Sequence, residues 1–408
     1  MADRSRDRAA AAEVSAGTHC VDGPARHILA ASTAIALVAG CASAPEPKPA
    51  MPSRPLDLQL PLEAPDETTM MRLPAAWNLE ATHSTYRVET GALQGAGNFD
   101  ELDGALISHY ARSPHAVADG IDNERKLTTR LPSDSARPFM DAANKAFGAG
   151  EIDEALASYR QVIDRDPLYA KPYFYVADIE IKRRDLEAAT AWTDRGLRLS
   201  PRDAYGYALR AQILLTSGRP QLARASLAYA LALDPFSPPA LKVLQSLGGT
   251  RRPGIEPPIF VQLQTPPTPP GGPPVLVARG GGHPAWQQYA VCRGLLVHDA
   301  RIRGEFIQSA GQTLSPGARS LEEETTCGYL ATAAYRALHG AGPKDADLER
   351  WSRAYDLNLL REAVIYETLG CRRPEVLPLL NDEALGRVVE YVQRFVLPAS
   401  APPPAEAR

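Results

Sequence analysis

The chain has 408 residues, with 44 Lys plus Arg against 48 Asp plus Glu, a formal net charge of −4. That length suits two or three domains, and weak acidity without any basic run argues against a nucleic-acid face. The 37 prolines cluster, eight between Pro45 and Pro74 and ten between Pro253 and Pro284, and such stretches favour extended conformations over helices or central strands.

In chain order, Ile28 to Gly40 form a 13-residue apolar stretch behind Arg26 and His27. It is shorter than the roughly 20 residues a transmembrane helix needs and fits a secretory signal core. Its end, Leu37-Val38-Ala39-Gly40-Cys41, resembles the bacterial lipoprotein box. That resemblance implies cleavage before Cys41, its lipidation, and, with Ala42 rather than Asp next, an outer membrane address facing the periplasm. An ordinary cleaved signal or an uncleaved anchor are the alternatives. The lead before Arg26 is long for a signal peptide, so translation beginning near Val21 is an alternative start. Residues 1–41 are thus read as signal peptide and 42–75 as a proline-rich tether.

Residues 76–135 read as a poorly ordered lead-in. Thr85 to Thr90 alternates enough for a short strand, Gly91 to Gly97 reads as a turn, and Phe99 to Tyr110 as a helix. His83, His109 and His115 lack metal-ligand company at useful spacing, so no metal or cofactor is expected.

From Ala136 the sequence repeats. Asp166-Pro167, Ser200-Pro201 and Asp234-Pro235 recur every 34 residues, setting units that begin at Ala136, Ala170 and Ala204. Position four holds Phe139, Tyr173 and Tyr207; position eight Ala143, Ala177 and Ala211; position twenty Ala155, Ala189 and Ala223. Position fifteen holds Gly150, Arg184 and Gly218. Each unit reads as a helical hairpin. Small alanines let its helices approach, the aromatic fills the gap between neighbours, and position fifteen takes a turn tolerant of positive φ. One hairpin cannot bury its own apolar face, so about three are needed.

This pattern resembles the tetratricopeptide repeat family over 136–248, with Pro238 to Leu247 as a capping helix. The resemblance implies a groove lined by the first helix of each unit. The residues expected to face a protein partner there are Met140, Asn144, Lys171, Phe174, Asp178, Tyr205 and Gln212. The family's clamp for a C-terminal carboxylate wants Lys at position five and Asn at nine of the first unit; Asn144 fits and Met140 departs.

Residues 249–284 read as a Pro/Gly-rich linker and 285–397 as a helical domain, with a disordered tail over 398–408. Four helices are expected there: Trp286–Ile307, Leu321–Leu338 opened by Glu322-Glu323-Glu324, Asp347–Leu369, and Pro374–Val396 with a break near Asn381-Asp382. With Cys20 removed and Cys41 lipidated, Cys292, Cys327 and Cys371 remain. In an up-down bundle Cys327 and Cys371 lie at one end, so they are the expected pair if a bridge forms, three reduced thiols being the alternative. Cys292 and His298 lie on poorly matched helix faces for a nucleophile and base. Gly280-Gly281-Gly282 precedes a helix but lacks the Lys-Ser/Thr of a phosphate loop, and no GxSxG elbow occurs.

The chain is therefore expected to be all-α: a three-unit tetratricopeptide-type hairpin array with a capping helix, a small C-terminal helical bundle, and proline-rich disordered linkers. It reads as a non-enzymatic adaptor held to the membrane by a lipid anchor. The alternative is a C-terminal enzyme of unrecognised type that uses the repeats for docking.

Overall fold

A computed structural model describes residues 87–92, 116–120, 125–249, 254–255, 257–264, 274–309, 316–338, 342–372 and 374–398. The expected signal core, Cys41, the tether, the helix over 99–110, the three histidines of the lead-in and nearly all of the tail lie outside these residues. Three helical hairpins follow in sequence: α1 (Arg137–Ala149) with α2 (Ile152–Arg165), α3 (Lys171–Arg183) with α4 (Leu186–Leu199), and α5 (Ala204–Thr216) with α6 (Pro220–Leu233). The capping helix α7 (Pro238–Ser246) turns Ala240, Val243 and Leu244 inward. No helix among the described residues is long and apolar enough to cross a membrane.

The repeat register explains itself in the packing. All six alanines at positions eight and twenty have 0% exposure, so each hairpin closes where no larger side chain would fit. The turn at position fifteen is left-handed in every unit: Gly150 has φ 81°, Gly218 φ 71°, and Arg184 φ 64°. Arg184 therefore takes a backbone conformation that L-residues other than Gly and Asn adopt at a cost. The repeat geometry imposes it.

Sheet structure appears in the lead-in and in the expected Pro/Gly-rich linker. Strand β1 (Arg87–Ala92) pairs parallel with β5 (Val275–Gly280), and β4 (Ile259–Gln264) pairs antiparallel with β5, giving the order β1-β5-β4. A separate hairpin joins β2 (Ala116–Asp119) to β3 (Lys126–Thr129). The short strand expected over Thr85–Thr90 is present within two residues of its place. The proline count hid β4 and β5, because the prolines bracket two six-residue apolar runs without interrupting either.

The C-terminal helices are α8 (Ala285–His298), α9 (Ala300–Ser309), α10 (Pro316–Ala337), α11 (Ala346–Asp356), α12 (Leu360–Val364), which continues as a π-helical turn over Ile365–Gly370, and α13 (Asp382–Tyr391). A 3₁₀ segment covers Pro374–Leu379. The expected helix Trp286–Ile307 breaks at Asp299, whose carboxylate accepts from the Arg301 and Ile302 amides at 2.9 Å and opens α9. The expected break near Asn381-Asp382 is real: the Asn381 side chain caps α13 by accepting from Ala384 N–H at 2.8 Å.

The described residues belong to one compact unit, Pro47–Arg408. Within it the third repeat and the C-terminal helices share a single core that runs from Ala208, Leu227 and Leu233 to Val396 and Leu397. Helix α6 carries buried Leu227, Ala228, Leu231 and Ala232 into that core, so the array's last face is covered by α7 and the C-terminal helices together. A two-arginine clamp holds the seam. Arg202 donates to the Pro378 carbonyl at 2.9 Å and also reaches the Leu380 carbonyl and Asp382; Arg125 donates to the Leu380 carbonyl at 3.2 Å and to Asp382 at 3.0 Å.

Candidate functional site

The first helices of the units, α1, α3 and α5, bring the expected groove residues together but divide them into two sets. Met140 is 6% exposed and Phe174 0%; both are core, not ligand-facing. The Phe174 ring enters a slot between Gly196 of α4 and Gly206 of α5, where a Cβ added to Gly206 would come 2.6 Å from the ring. Two glycines from separate helices make room that a pattern within one unit does not reveal.

The second set forms a surface. Asn144 is exposed, and Asp178 and Gln212 are half-buried, in a row with one member per unit. Tyr159 on α2 donates its hydroxyl to Asn144 Oδ1 at 3.0 Å. Lys182 donates to Asp178 at 2.9 Å and lies 4.2 Å above the Phe147 ring. Lys171 and Asp203 pair at 3.1 Å, while the other Asp203 oxygen caps α5 at Gly206 N–H, 3.1 Å away. Burial works against the Lys171 ammonium, but Asp203 outweighs it and its pKa is raised.

Two half-buried tyrosines, Tyr175 and Tyr205, border this row across the repeats, with buried Tyr159 packed against Tyr175. Tyr159 and Tyr175 have ring centroids 5.2 Å apart, and Tyr175 and Tyr205 6.1 Å apart; Tyr205 also meets the Phe174 edge. Burial, then neighbouring phenols and carboxylates, raises the pKa of Tyr159 and of Tyr205. Their hydroxyls therefore remain neutral hydrogen-bonding groups at physiological pH. Tyr159, Tyr175 and Asp203 were absent from the sequence-based set. Asp203 was findable as an Asp immediately before a helix, whereas the tyrosines occupy different positions of the repeat and meet only in three dimensions.

The face so built is polar and aromatic with its charges paired internally, which suits recognition of a polypeptide by orienting hydrogen bonds and ring contacts. A nearby cleft between α4 and α5, bounded by Thr190, Asp194, Arg210 and Arg219, has a volume of about 230 Å³. That is below the roughly 300–1,000 Å³ of small-molecule pockets.

The cysteine pairing differs from expectation. Cys292 and Cys327 form the disulfide, with Cα atoms 5.4 Å apart, so Cys327–Cys371 is corrected. Helix α8 stops at His298 rather than running to Ile307, and α10 begins at Pro316 rather than Leu321, so both cysteines lie mid-helix where the two helices pack. Cys371 Sγ instead donates to the Tyr366 carbonyl at 3.1 Å. The bridge also removes Cys292 as a nucleophile for His298. The glycine loop is committed internally, since Gly280 N–H donates to Gln287 Oε1 at 3.1 Å and Gly281 N–H to the Pro258 carbonyl at 2.7 Å.

Glu322, Glu323 and Glu324 are not a helix-opening triplet. They lie beyond the first turn of α10 and are buried, each on a different arginine: Glu322 with Arg361 at 2.7 Å, Glu323 with Arg303 at 2.6 Å, Glu324 with Arg372 at 2.5 Å. Burial alone would push the Glu324 carboxyl up. Arg372, Arg293 and the Tyr289 hydroxyl outweigh it and hold it at about 2. Arg350 with Glu367 at 2.7 Å and Arg387 with Glu362 at 2.8 Å extend the set. These pairs fix how α10, α12 and α13 sit against one another. Among the described residues no group of three or more His, Cys, Asp or Glu is arranged to hold a metal.

Residues 146–213 match the family model described as tetratricopeptide repeat. No curated protein matches the chain. Among solved structures, the first tetratricopeptide domain of Spaghetti (RPAP3), bound to an HSP90 peptide, is 21% identical over 29% of this chain and 99% of its own, with a TM-score of 0.27. The Arabidopsis OM64 tetratricopeptide domain is 17% identical over 28% of this chain and 93% of its own, also at 0.27. The P58(IPK) tetratricopeptide domain is 11% identical over 64% and 65%, at 0.24. Scores this low add nothing to the repeat geometry itself. Three 34-residue helical hairpins with six buried alanines, a capping helix and the match over 146–213 together identify a tetratricopeptide-repeat array within the chain.

Proposed function

We propose that this protein is a periplasm-facing outer-membrane lipoprotein, anchored through Cys41, whose repeats hold a segment of a partner during assembly of envelope machinery. The observation that carries the binding role is the row Asn144, Asp178 and Gln212, one residue per unit, bordered by Tyr175 and Tyr205. The Cys292–Cys327 bridge supports an oxidising compartment, where such bonds persist. Tethering raises local concentration, so a modest affinity at the inner face suffices. The C-terminal helices brace the last repeat and carry no catalytic step.

The test is crosslinking in intact membranes followed by affinity purification. It compares wild type with Asn144→Ala/Asp178→Ala/Gln212→Ala, whose fold is checked by circular dichroism. A specific envelope protein recovered with wild type and lost with the variant is the expected result. Identical partners with both, or none with either, removes the inner face as the working surface. For the anchor, Cys41→Ala should abolish palmitate labelling and release the chain from membranes; continued labelling refutes the lipid assignment.

A further inference from the structure

The inner face of the repeats has a hydrogen-bonding bias. The Tyr159 hydroxyl donates to the Asn144 carbonyl oxygen at 3.0 Å, so the Asn144 NH2 is the group left to a ligand. Among the described residues the Tyr175 and Tyr205 hydroxyls and the Gln212 side chain have no hydrogen-bond partner. Burial is the largest influence on both phenols and raises their pKa, so each keeps the proton it would donate. The charges beside them are already matched, Lys171 with Asp203 at 3.1 Å and Lys182 with Asp178 at 2.9 Å. The face thus offers hydrogen-bond donors, two half-buried rings and no unmatched charge beside them.

A charged segment would have to break one of those two ion pairs to find its counter-charge. An amphipathic helix spends its backbone groups on itself and docks through apolar side chains. The apolar members of this face, Met140 and Phe174, are buried and give it nothing to dock on. An ordinary extended segment brings an N–H with every C=O, and a donor-rich face serves only the second. Proline brings the carbonyl without the N–H. A run of prolines holds polyproline II, whose backbone makes no internal hydrogen bonds. Its carbonyls are then open to donors while its rings lie on aromatic ones.

We propose that the inner face takes an uncharged, proline-rich segment of a partner protein in the polyproline II conformation. Tyr175 and Tyr205 supply ring contacts and hydroxyl donors to its carbonyls, and Asn144 and Gln212 add amide donors from the first and third units. The inference rests on the adaptor reading, since it names the partner chemistry of the same face. An uncharged contact of this kind is insensitive to salt, whereas one between exposed charges is screened.

Isothermal titration of the full chain in detergent micelles tests it, with an end-blocked proline decamer as probe and a Gly-Ser peptide of equal length as control. The proline decamer should bind and the Gly-Ser peptide should not, with affinity unchanged between about 0.05 and about 0.5 M salt. Tyr175→Phe/Tyr205→Phe keeps both rings and should weaken binding about tenfold with unchanged circular dichroism. Should that variant misfold, Gln212→Glu replaces a donor at a half-buried position and should also weaken binding. No binding of the proline decamer, equal binding of both peptides, or full affinity in the variants would overturn the proposal. So would binding that appears only once residues 45–74 are deleted, because this chain's own prolines would then be the occupant. A partner crosslinked through a segment without prolines overturns it while leaving the adaptor reading intact. Decamer binding with no partner recovered from membranes supports the chemistry of the face and fails the adaptor reading alone.

Discussion

Removing the Phe174 ring separates a core residue from a groove residue, and the slot around it sets the sign of a second, paired substitution. Phe174 has no exposed surface, and the glycines that bound its slot have no side chains to collapse into a hole. Phe174→Ala should therefore cost about 3–5 kcal/mol, the range for a fully buried aromatic, against a total near 5–15 kcal/mol for a domain. Gly206→Ala alone drives a methyl into the ring and against Leu197 Cδ2 at 2.8 Å, costing about 1–3 kcal/mol. Once the ring is gone only the Leu197 Cδ2 contact remains, the flexible tip of a side chain that can turn into the space the ring leaves, and in a helix Ala exceeds Gly by about 1 kcal/mol. Gly206→Ala should then become neutral or stabilising in the Phe174→Ala background, a coupling that a double-mutant cycle reads directly. Urea unfolding followed by circular dichroism gives all four free energies. Two additive penalties, or a Phe174→Ala cost below about 1 kcal/mol together with lost partner binding, would refute the packing argument and return Phe174 to the binding face.

Arg184→Gly should stabilise the array by about 1 kcal/mol, because it removes the left-handed strain at φ 64°; thermal unfolding checks it, and destabilisation would mean the Arg184 side chain contributes more than its backbone costs. Arg202→Ala removes donors to Pro378, Leu380 and Asp382 and should cost about 1–3 kcal/mol, with faster amide exchange concentrated over 374–385. Glu324 is held at about 2, below its ordinary 4.5. A depressed carboxyl stabilises the fold above its unfolded value, and that contribution fades as pH falls from 4.5 through 2. Glu324→Gln should therefore flatten acid unfolding in that window and, by leaving buried arginines uncompensated, cost about 3–5 kcal/mol at neutral pH. Non-reducing peptide mapping should recover Cys292 linked to Cys327, and Cys292→Ser should cost about 3–4 kcal/mol for a loop of sequence separation 35; a Cys327–Cys371 peptide would contradict the packing of α8 on α10.

What the sequence by itself determined is everything local and periodic. A period of 34 with small residues at fixed positions leaves few ways to stack hairpins, so the array, its turns at position fifteen, its capping helix and the break at Asn381 were all legible. So was the polar row at position nine, since one residue per unit on the same helix must line up. The tertiary structure decided what depends on contacts between distant segments. Whether Phe174 faces a partner or the core turned on glycines 22 and 32 residues further along the chain. The disulfide partner turned on which helices pack, and the glutamate triplet on arginines contributed by other helices. The sheet, too, needed β1 to meet β5 across more than 180 residues. Periodicity constrains neighbours within a repeat, but it carries no information about pairings whose members share no register.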